Sequence, residues 1–439
     1  MRVSNRQKLL RFLRARWKLH VILSDDSDAD DIMEIGAALN ASRYLIAHRP
    51  IHSGMKHSLQ LSALLEQDAA TFRLKTRLCQ QTFLVLLGLL QSDPVFHNMS
   101  HNQQRPVGLQ LYCYLVTVGH DGDGQCSRII AGDIKVGEGT VSLYVHRVIK
   151  AMLNVKSQFI QWPSPEKRKQ DSAQTLQDAG FYSFGIIDGT HVYFSQAPSV
   201  DANNFYTRKK GLYGMNVQLV VDFNWYIIGY IVGWPGCAQD VTSFESSQWF
   251  LNPAVFFAPG ESLMADKGYV PRLMLTVPFD DPELVDAQLV ESERQRRVAF
   301  NDGIKKKRIL IERVNARLKN RLTSLKGVRL QVRVAEGLEG SGQDFKAVND
   351  FTVSCFVLHN FLVRYNDAFE KEEEVPPVVD EWANDLQVTL GGQAHALARA
   401  SALAAFSQRE QELAARELAV QMFTQHETSK PAALPFLME

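Results

Sequence analysis

Two apolar runs in this chain read as buried β-strands, and each closes on an aspartate: Phe184-Gly185-Ile186-Ile187-Asp188 and Leu263-Met264-Ala265-Asp266. A carboxylate at the end of a buried strand is costly unless it is paired or bound to a cation. A fold that carries two of them must supply something positive between them. Residues 190–194, 217–222 and 226–234 add further β-rich runs. Gly189 separates the first of these from the strand before it, and Phe223-Asn224 between the other two reads as a hairpin. Helical periodicity returns over residues 300–325 and 348–363. Strands with helices on their flanks indicate a layered α/β or α+β domain.

At 439 residues the chain exceeds what one hydrophobic core usually holds, so two folded domains plus tails are expected. Residues 1–65 are polar and charge-blocked and read as a weakly ordered arm. Residues 66–155 have helical texture, residues 156–365 form the strand-rich domain, and residues 366–439 hold an acidic, Pro-containing linker and an Ala-rich helix at about 394–425. Within the helical region, residues 128–148 read as a helix, a Gly-containing turn and a second helix, the helix-turn-helix pattern. Thr140, Ser142, Tyr144 and Arg147 could then meet a DNA groove or backbone. An αα-hairpin that merely packs beside the next domain has the same sequence pattern, and both readings stand.

Lysine plus arginine and aspartate plus glutamate each total 48, so net charge gives no hint of a partner. Its distribution does: basic residues concentrate in 1–19 and 294–333, where each zone could face phosphate. The five cysteines form no Cys-x-x-Cys pair and no zinc-finger spacing, and read as reduced thiols. The longest apolar run, residues 82–90, is far shorter than the roughly 20 residues a membrane span needs. A cytosolic or nuclear location is expected, the nucleus if the partner is DNA.

Four acids are held by strand or helix signals: Asp188, Asp240 after the turn 235–239, Asp266, and Glu312 in a basic helix. Hard cations such as Mg²⁺ choose carboxylate oxygens, and three or four acids converging from different elements are the minimum equipment for phosphodiester cleavage by metal. Two such ions can activate the attacking oxygen and stabilise the leaving one. Spacing alone leaves simpler roles open. Asp188 could be a turn aspartate, Asp240 a helix N-cap, and Glu312 a partner of Arg308 one turn earlier.

Taken in order, these segments resemble the Harbinger/PIF family of DDE transposases and the nucleases domesticated from them, over about residues 70 to 365. Residues 185–191 (Gly-Ile-Ile-Asp-Gly-Thr-His) are similar to the family's strand with its first aspartate. Tyr206, Lys209-Lys210-Gly211, Asn216-Val217-Gln218 and Val220-Val221-Asp222 resemble the family's next stretch and strand. Pro235-Gly236-Cys237-Ala238-Gln239-Asp240-Val241 is similar to the segment with the second aspartate, and Ala265-Asp266-Lys267-Gly268-Tyr269 to the family's Gly-Asp-x-Gly-Tyr. Phe300-Asn301, Arg308, Ile311-Glu312 and Leu318-Lys319-x-Arg321 resemble the glutamate helix, and Cys355-Phe356-Val357-Leu358-His359-Asn360 the closing helix.

The resemblance implies an RNase H-like catalytic domain, α/β in class, preceded by a small all-α helix-turn-helix domain. It implies Asp188, Asp240 and Glu312 as catalytic metal ligands, with Asp266 as a further ligand, and Mg²⁺ as the ion, for which Mn²⁺ could substitute. DNA is the implied substrate, a Myb-like DNA-binding protein an implied partner, and a homodimer is consistent with excision at two ends. Gln239 replaces the family's usual histidine, Cys237 and Val241 replace serines, and Asn315-Ala316 replace an aromatic-Gly pair. These departures bear on substrate positioning more than on fold.

The basic helix points to DNA independently. Lys305, Lys306, Lys307, Arg308, Arg313, Arg317, Lys319 and Arg321 lie within about five turns, enough to neutralise several phosphates, although such a run is also what a solvated helix face looks like. A metal-dependent DNA endonuclease or transposase is therefore expected. A domesticated, inactive DNA-binding or scaffold protein is the alternative, and an unrelated metal-dependent phosphatase a third reading. His191 and His359 are assigned neither base nor zinc roles. His359-Asn360, on an apolar helix, is expected to satisfy buried backbone groups.

Overall fold

A computed structural model describes residues 8–16, 29–41, 57–97, 104–199, 201–208, 210–286, 289–330 and 341–367. The acidic linker and the C-terminal helix expected at 394–425 lie outside the described residues. The chain divides into two units, Met1–Met55 and Lys56–Glu439. In the first, residues 8–16 and Ala29–Ala41 are helical.

The second unit is mixed α/β. Its helical part contains α1 (Ala69–Thr76), α2 (Gln80–Leu90), α3 (Val107–Gly119), α4 (Ser127–Asp133), α5 (Glu138–Asn154) and α6 (Pro165–Ala179). The sheet has six strands: β1 (Gly185–Tyr193), β2 (Tyr206–Thr207), β3 (Leu212–Val221), β4 (Ile227–Pro235), β5 (Leu263–Met264) and β6 (Leu275–Thr276). The order is β2-β3-β1-β5-β6, with β4 also on β3. β1 pairs antiparallel with β3 and parallel with β5, so the sheet is mixed and β1 is central. β3 is buried from Gly214 to Val221, as its near-continuous apolar run requires of a strand covered on both faces.

Gly189 does not interrupt β1, contrary to the sequence expectation. A Cβ at that position would come within 2.5 Å of the Asp240 carboxyl carbon. Glycine is thus needed for close approach, and the strand passes straight through it. The hairpin between β3 and β4 forms as expected. The Asp222 carboxylate accepts from the backbone N–H groups of Asn224 and Tyr226, both at 2.9 Å, and closes the turn.

A short helix, α7 (Asp240–Glu245), leads away from β4, and two long helices later in the chain cover the sheet. α8 spans Glu291–Arg321, starting earlier than the apolar periodicity suggests, with Glu291 and Glu293 in the first turn and Lys319 and Arg321 in the last. That charge order suits the helix dipole. α9 (Ser341–Arg364) closes the fold, buried at every residue from Phe351 to Val363. An apolar helix with no polar face needs cover all round, and here it gets it.

Buried residues of the helical region and of the sheet belong to one hydrophobic core. Tyr114 of α3 donates to Ser354 Oγ of α9 at 3.0 Å. α4 and α5 are joined by a turn at residues 134–137, and Tyr144 is buried rather than available to a groove. Ser142 is exposed; Thr140 and Arg147 are half-buried.

Candidate active site

The parallel ladder between β1 and β5 matches Gly185 with Leu263 and Ile186 with Met264. Asp188 lies in β1 two residues beyond Ile186, and Asp266 lies two residues beyond Met264, just past the end of β5, so the chain leaves the paired strands with the two acids in one neighbourhood. Arg308 of α8 bridges them, donating from Nη1 to Asp266 Oδ1 at 2.9 Å and from Nη2 to Asp188 Oδ1 at 3.2 Å. Arg308 therefore does not pair with Glu312, the simpler role the spacing allowed.

Asp240 is the first residue of α7, with Gln239 in the N-cap position, so it is not the cap. Its carboxylate lies over Gly189 and accepts from Asn216 Nδ2 at 2.8 Å. Gln218, two residues along β3, donates to the Asp240 carbonyl and to Ser243 Oγ. These two buried amides on one face of an otherwise apolar strand fix where α7 begins, and with it the Asp240 side chain.

Burial pushes the Asp188 carboxyl up to about 6 against the opposing pull of Arg308, and the like charges of Asp266 and Asp240 add to the rise. Three acids in one neighbourhood, one of them largely dry, is an arrangement that calls for positive charge. Tyr269 sits among them. Its hydroxyl is buried without a hydrogen-bond partner among the described residues, and burial together with the nearby Asp240 and Asp188 charges raises its phenol well above the usual range. It is therefore a proton-bearing donor.

Glu312 is exposed and makes no ion pair among the described residues. Its place on α8 is nonetheless informative. Arg308, Glu312, Asn315 and Lys319 fall at intervals of four, three and four residues, one face of a helix. Arg308 touches Asp188 and Lys319 touches Thr190. The glutamate thus shares the face turned to β1 without joining the other acids in contact.

Among the described residues no group of three or more His, Cys, Asp or Glu side chains is gathered closely enough to hold a metal ion. The donors fit a hard cation in kind, being carboxylates in a partly dry setting. In the present arrangement the positive charge between Asp188 and Asp266 is the Arg308 guanidinium.

The basic helix divides its cations between tasks. Arg317 and Arg321, expected to face DNA, are instead buried: Arg317 lies over the Trp225 ring at 5.7 Å, and Arg321 pairs with Asp367 at 2.9 Å. Lys307 pairs with Asp178 at 2.8 Å. Lys305, Lys306 and Arg313 are exposed. Lys319 donates to Thr190 Oγ1 at 2.5 Å and to the His191 carbonyl at 2.8 Å. His191 Nε2 lies 3.1 Å from the Gly236 carbonyl, and His359 Nε2 lies 3.0 Å from the Trp225 carbonyl, where its buried backbone role was expected. Sequence reasoning missed the site roles of Asn216, Gln218 and Tyr269. The polar residues two apart in an apolar strand were the available clue for the first two.

Residues 187–360 of the chain match the family of DDE superfamily endonucleases. Its relatives include "Putative nuclease HARBI1" of Homo sapiens, 26% identical over 176 residues, covering 38% of this chain and 48% of the relative. The Xenopus laevis protein of that name is 24% identical over 288 residues, 64% of this chain and 74% of the relative. "Protein ALP1-like" of Arabidopsis thaliana is 23% identical over 186 residues, 42% of this chain and 45% of the relative. The chain spans about half the length of the first of these relatives. No solved structure matches it.

Proposed function

We propose that this chain is a metal-dependent DNA endonuclease of the transposase type. The observation that carries the reading is the gathering of Asp188 in β1 and Asp266 just past the parallel strand β5 on one Arg308 guanidinium, in a chain whose residues 187–360 match an endonuclease family. Three antiparallel strands, β1, β3 and β4, followed by β5 and β6 parallel to β1, support an RNase H-like reading of the domain. Asp188, Asp240 and Asp266 would hold the metal, joined by Glu312 from the shared helix face, with Mg²⁺ or Mn²⁺ suited to such donors. The ion would lower the pKa of a water and stabilise the leaving oxygen.

The chain's own residues do the rest. Asn216 holds the Asp240 carboxylate in place. Tyr269 offers a buried hydroxyl to a phosphate oxygen. Lys305, Lys306 and Arg313 on α8, with Ser142, Thr140 and Arg147 on the α4–α5 pair, are proposed to meet the DNA backbone, and a second copy or a DNA-binding partner protein would supply end recognition.

A second reading, a DNA-binding scaffold without activity, is favoured by one feature: Arg308 already neutralises the two strand-borne carboxylates. Supercoiled plasmid incubated with the full chain and Mg²⁺ or Mn²⁺ separates the two. Nicking by the wild type should fall on the order of 10²-fold or more in Asp188→Ala and Asp266→Ala, the scale for losing one group that stabilises transition-state charge. Equal nicking by all three proteins would sink the catalytic assignment. Tight, salt-sensitive binding with no cleavage would support the scaffold.

A further inference from the structure

Beyond the carboxylates, β1 runs on through Thr190, His191 and Tyr193 toward a group of lysines that the cleavage chemistry does not use. Lys319 Nζ spends two of its three N–H donors on Thr190 Oγ1 and the His191 carbonyl. One donor is left. Lys210 lies over the Tyr193 ring at 5.5 Å, and His191 stacks on the same tyrosine with centroids 5.9 Å apart. Lys326 ends the 3-10 turn Thr323–Lys326, just before Val328, whose N–H donates to the Tyr193 carbonyl at 2.7 Å while Ser195 N–H returns to the Val328 carbonyl at 3.0 Å. Three elements thus bring one lysine each to the same end of β1. Among the described residues no carboxylate pairs with any of the three; Lys326 donates only to the Asn320 amide oxygen, at 2.9 Å.

We infer that Lys210, Lys319 and Lys326 form a phosphodiester-binding site at the Tyr193 end of β1, gripping the nucleic-acid backbone beside the position cleaved at Asp188. Strand residues advance about 3.3 Å each, so Thr190, which Lys319 contacts, lies about 7 Å along β1 from Asp188, and Tyr193, under Lys210, about 17 Å. Those are the axial spans of roughly two to five phosphates on one strand of a duplex. Burial lowers the Lys319 ammonium to about 8, and the neighbouring Lys210 and Lys326 charges push the same way, against the opposing pull of Asp188. A half-dry cation among like charges is unfavourable by itself, and an anion relieves it. An anchored phosphate at this distance would fix the direction in which the strand leaves the carboxylates.

The inference rests on the DNA-cleaving reading, and the test separates the two. Binding of a fluorescein-labelled duplex oligonucleotide to the full chain is monitored by anisotropy in EDTA, so that cleavage plays no part, over a KCl series. Lys210→Ala/Lys326→Ala removes two exposed lysines and leaves Lys319's ties to β1 intact. Lys169→Ala/Lys346→Ala removes equal charge at exposed positions assigned no contact with DNA. The first double variant should flatten the plot of log affinity against log salt by about 1 to 2 units and weaken binding roughly tenfold at low salt, with a smaller change in the second. Equal changes in both pairs, or none in the first, overturn the lysine site while leaving DNA binding standing. No binding by the wild type overturns the site together with the function on which it rests.

Discussion

α8 carries two arginine–carboxylate constellations, about three and a half turns apart, built to opposite specifications. At the anchor end, the side chains of Arg321 and Asp367 are 3% and 0% exposed. Asp367 also accepts from Arg73 at 3.0 Å and from the Cys79 N–H at 3.0 Å, while Arg321 reaches the Asp367 carbonyl and donates twice to the Arg77 carbonyl, at 3.0 and 2.8 Å. At the site end, Arg308 is 14% exposed, Asp188 19% and Asp266 50%, and Arg308 Nε has no partner among the described residues. The anchor spends its charges on one another and on backbone, which fixes α8, the residues just after α9 and the helical region together. The site leaves capacity unspent. The same residue chemistry holds a fold where it is saturated and keeps a site open where it is not.

The sharpest break of this contrast comes from Asp367→Ala. Removing the acid strands the Arg321 charge in the core, and stability should fall by about 3–5 kcal/mol, the usual cost of orphaning half of a buried pair. Denaturant unfolding of the full chain reads the change directly. A loss below about 1 kcal/mol would mean that the anchor is no more constrained than the site.

The anchor should also make its presence felt in pH dependence. His359 is buried against the Trp225 carbonyl; burial lowers its pKa to about 3, and the Arg317 and Arg321 charges push the same way. The folded-state pKa lies below the unfolded value of about 6.5. The neutral imidazole therefore contributes stability that is fully present above pH 6.5 and drains away as the pH falls from there toward 3. A loss on the order of a few kcal/mol should accumulate across that window. His359→Gln, which keeps a side-chain donor for the Trp225 carbonyl and cannot titrate, should flatten the slope. An unchanged slope in the variant would assign the acid lability elsewhere.

Much of the site end was legible in sequence, because its logic is local. An apolar run closing on Asp188 announces a largely buried carboxylate, the similar run before Asp266 ends on a half-exposed one, and helical spacing puts Arg308, Glu312 and Lys319 on one face. The anchor end was not legible. Arg317 and Arg321 sit in a run of basic residues that has the pattern of a solvated face, and the acid that answers Arg321 lies 46 residues downstream. Gly189 was misjudged for the same reason. Its lack of a side chain serves Asp240, a contact across the fold that periodicity cannot register. The shared core of the helical region and sheet was hidden likewise, since Tyr114 and Ser354 meet across 240 residues of chain.

The smallest expected change in stability is also the most discriminating. Arg308→Met keeps the aliphatic bulk of the side chain and removes the charge between Asp188 and Asp266. Asp266 is half exposed, and Asp188, already raised to about 6, can take up a proton once its cation is gone, so the loss should stay at about 1–2 kcal/mol, below that of Asp367→Ala. The two carboxylates would then face each other without a cation, and an ion that binds only the folded state stabilises it by an amount that grows with the logarithm of its concentration over Kd. Thermal unfolding across a MgCl₂ series should therefore show the variant gaining more from Mg²⁺ than the wild type, in which the guanidinium competes for the same oxygens. An Asp188→Asn/Arg308→Met double variant should lose that extra gain, tying it to the strand-borne acids. If Arg308→Met instead cost several kcal/mol and responded to Mg²⁺ as the wild type does, Arg308 would belong with Arg321 as a brace, and the contrast between the two ends of α8 would dissolve.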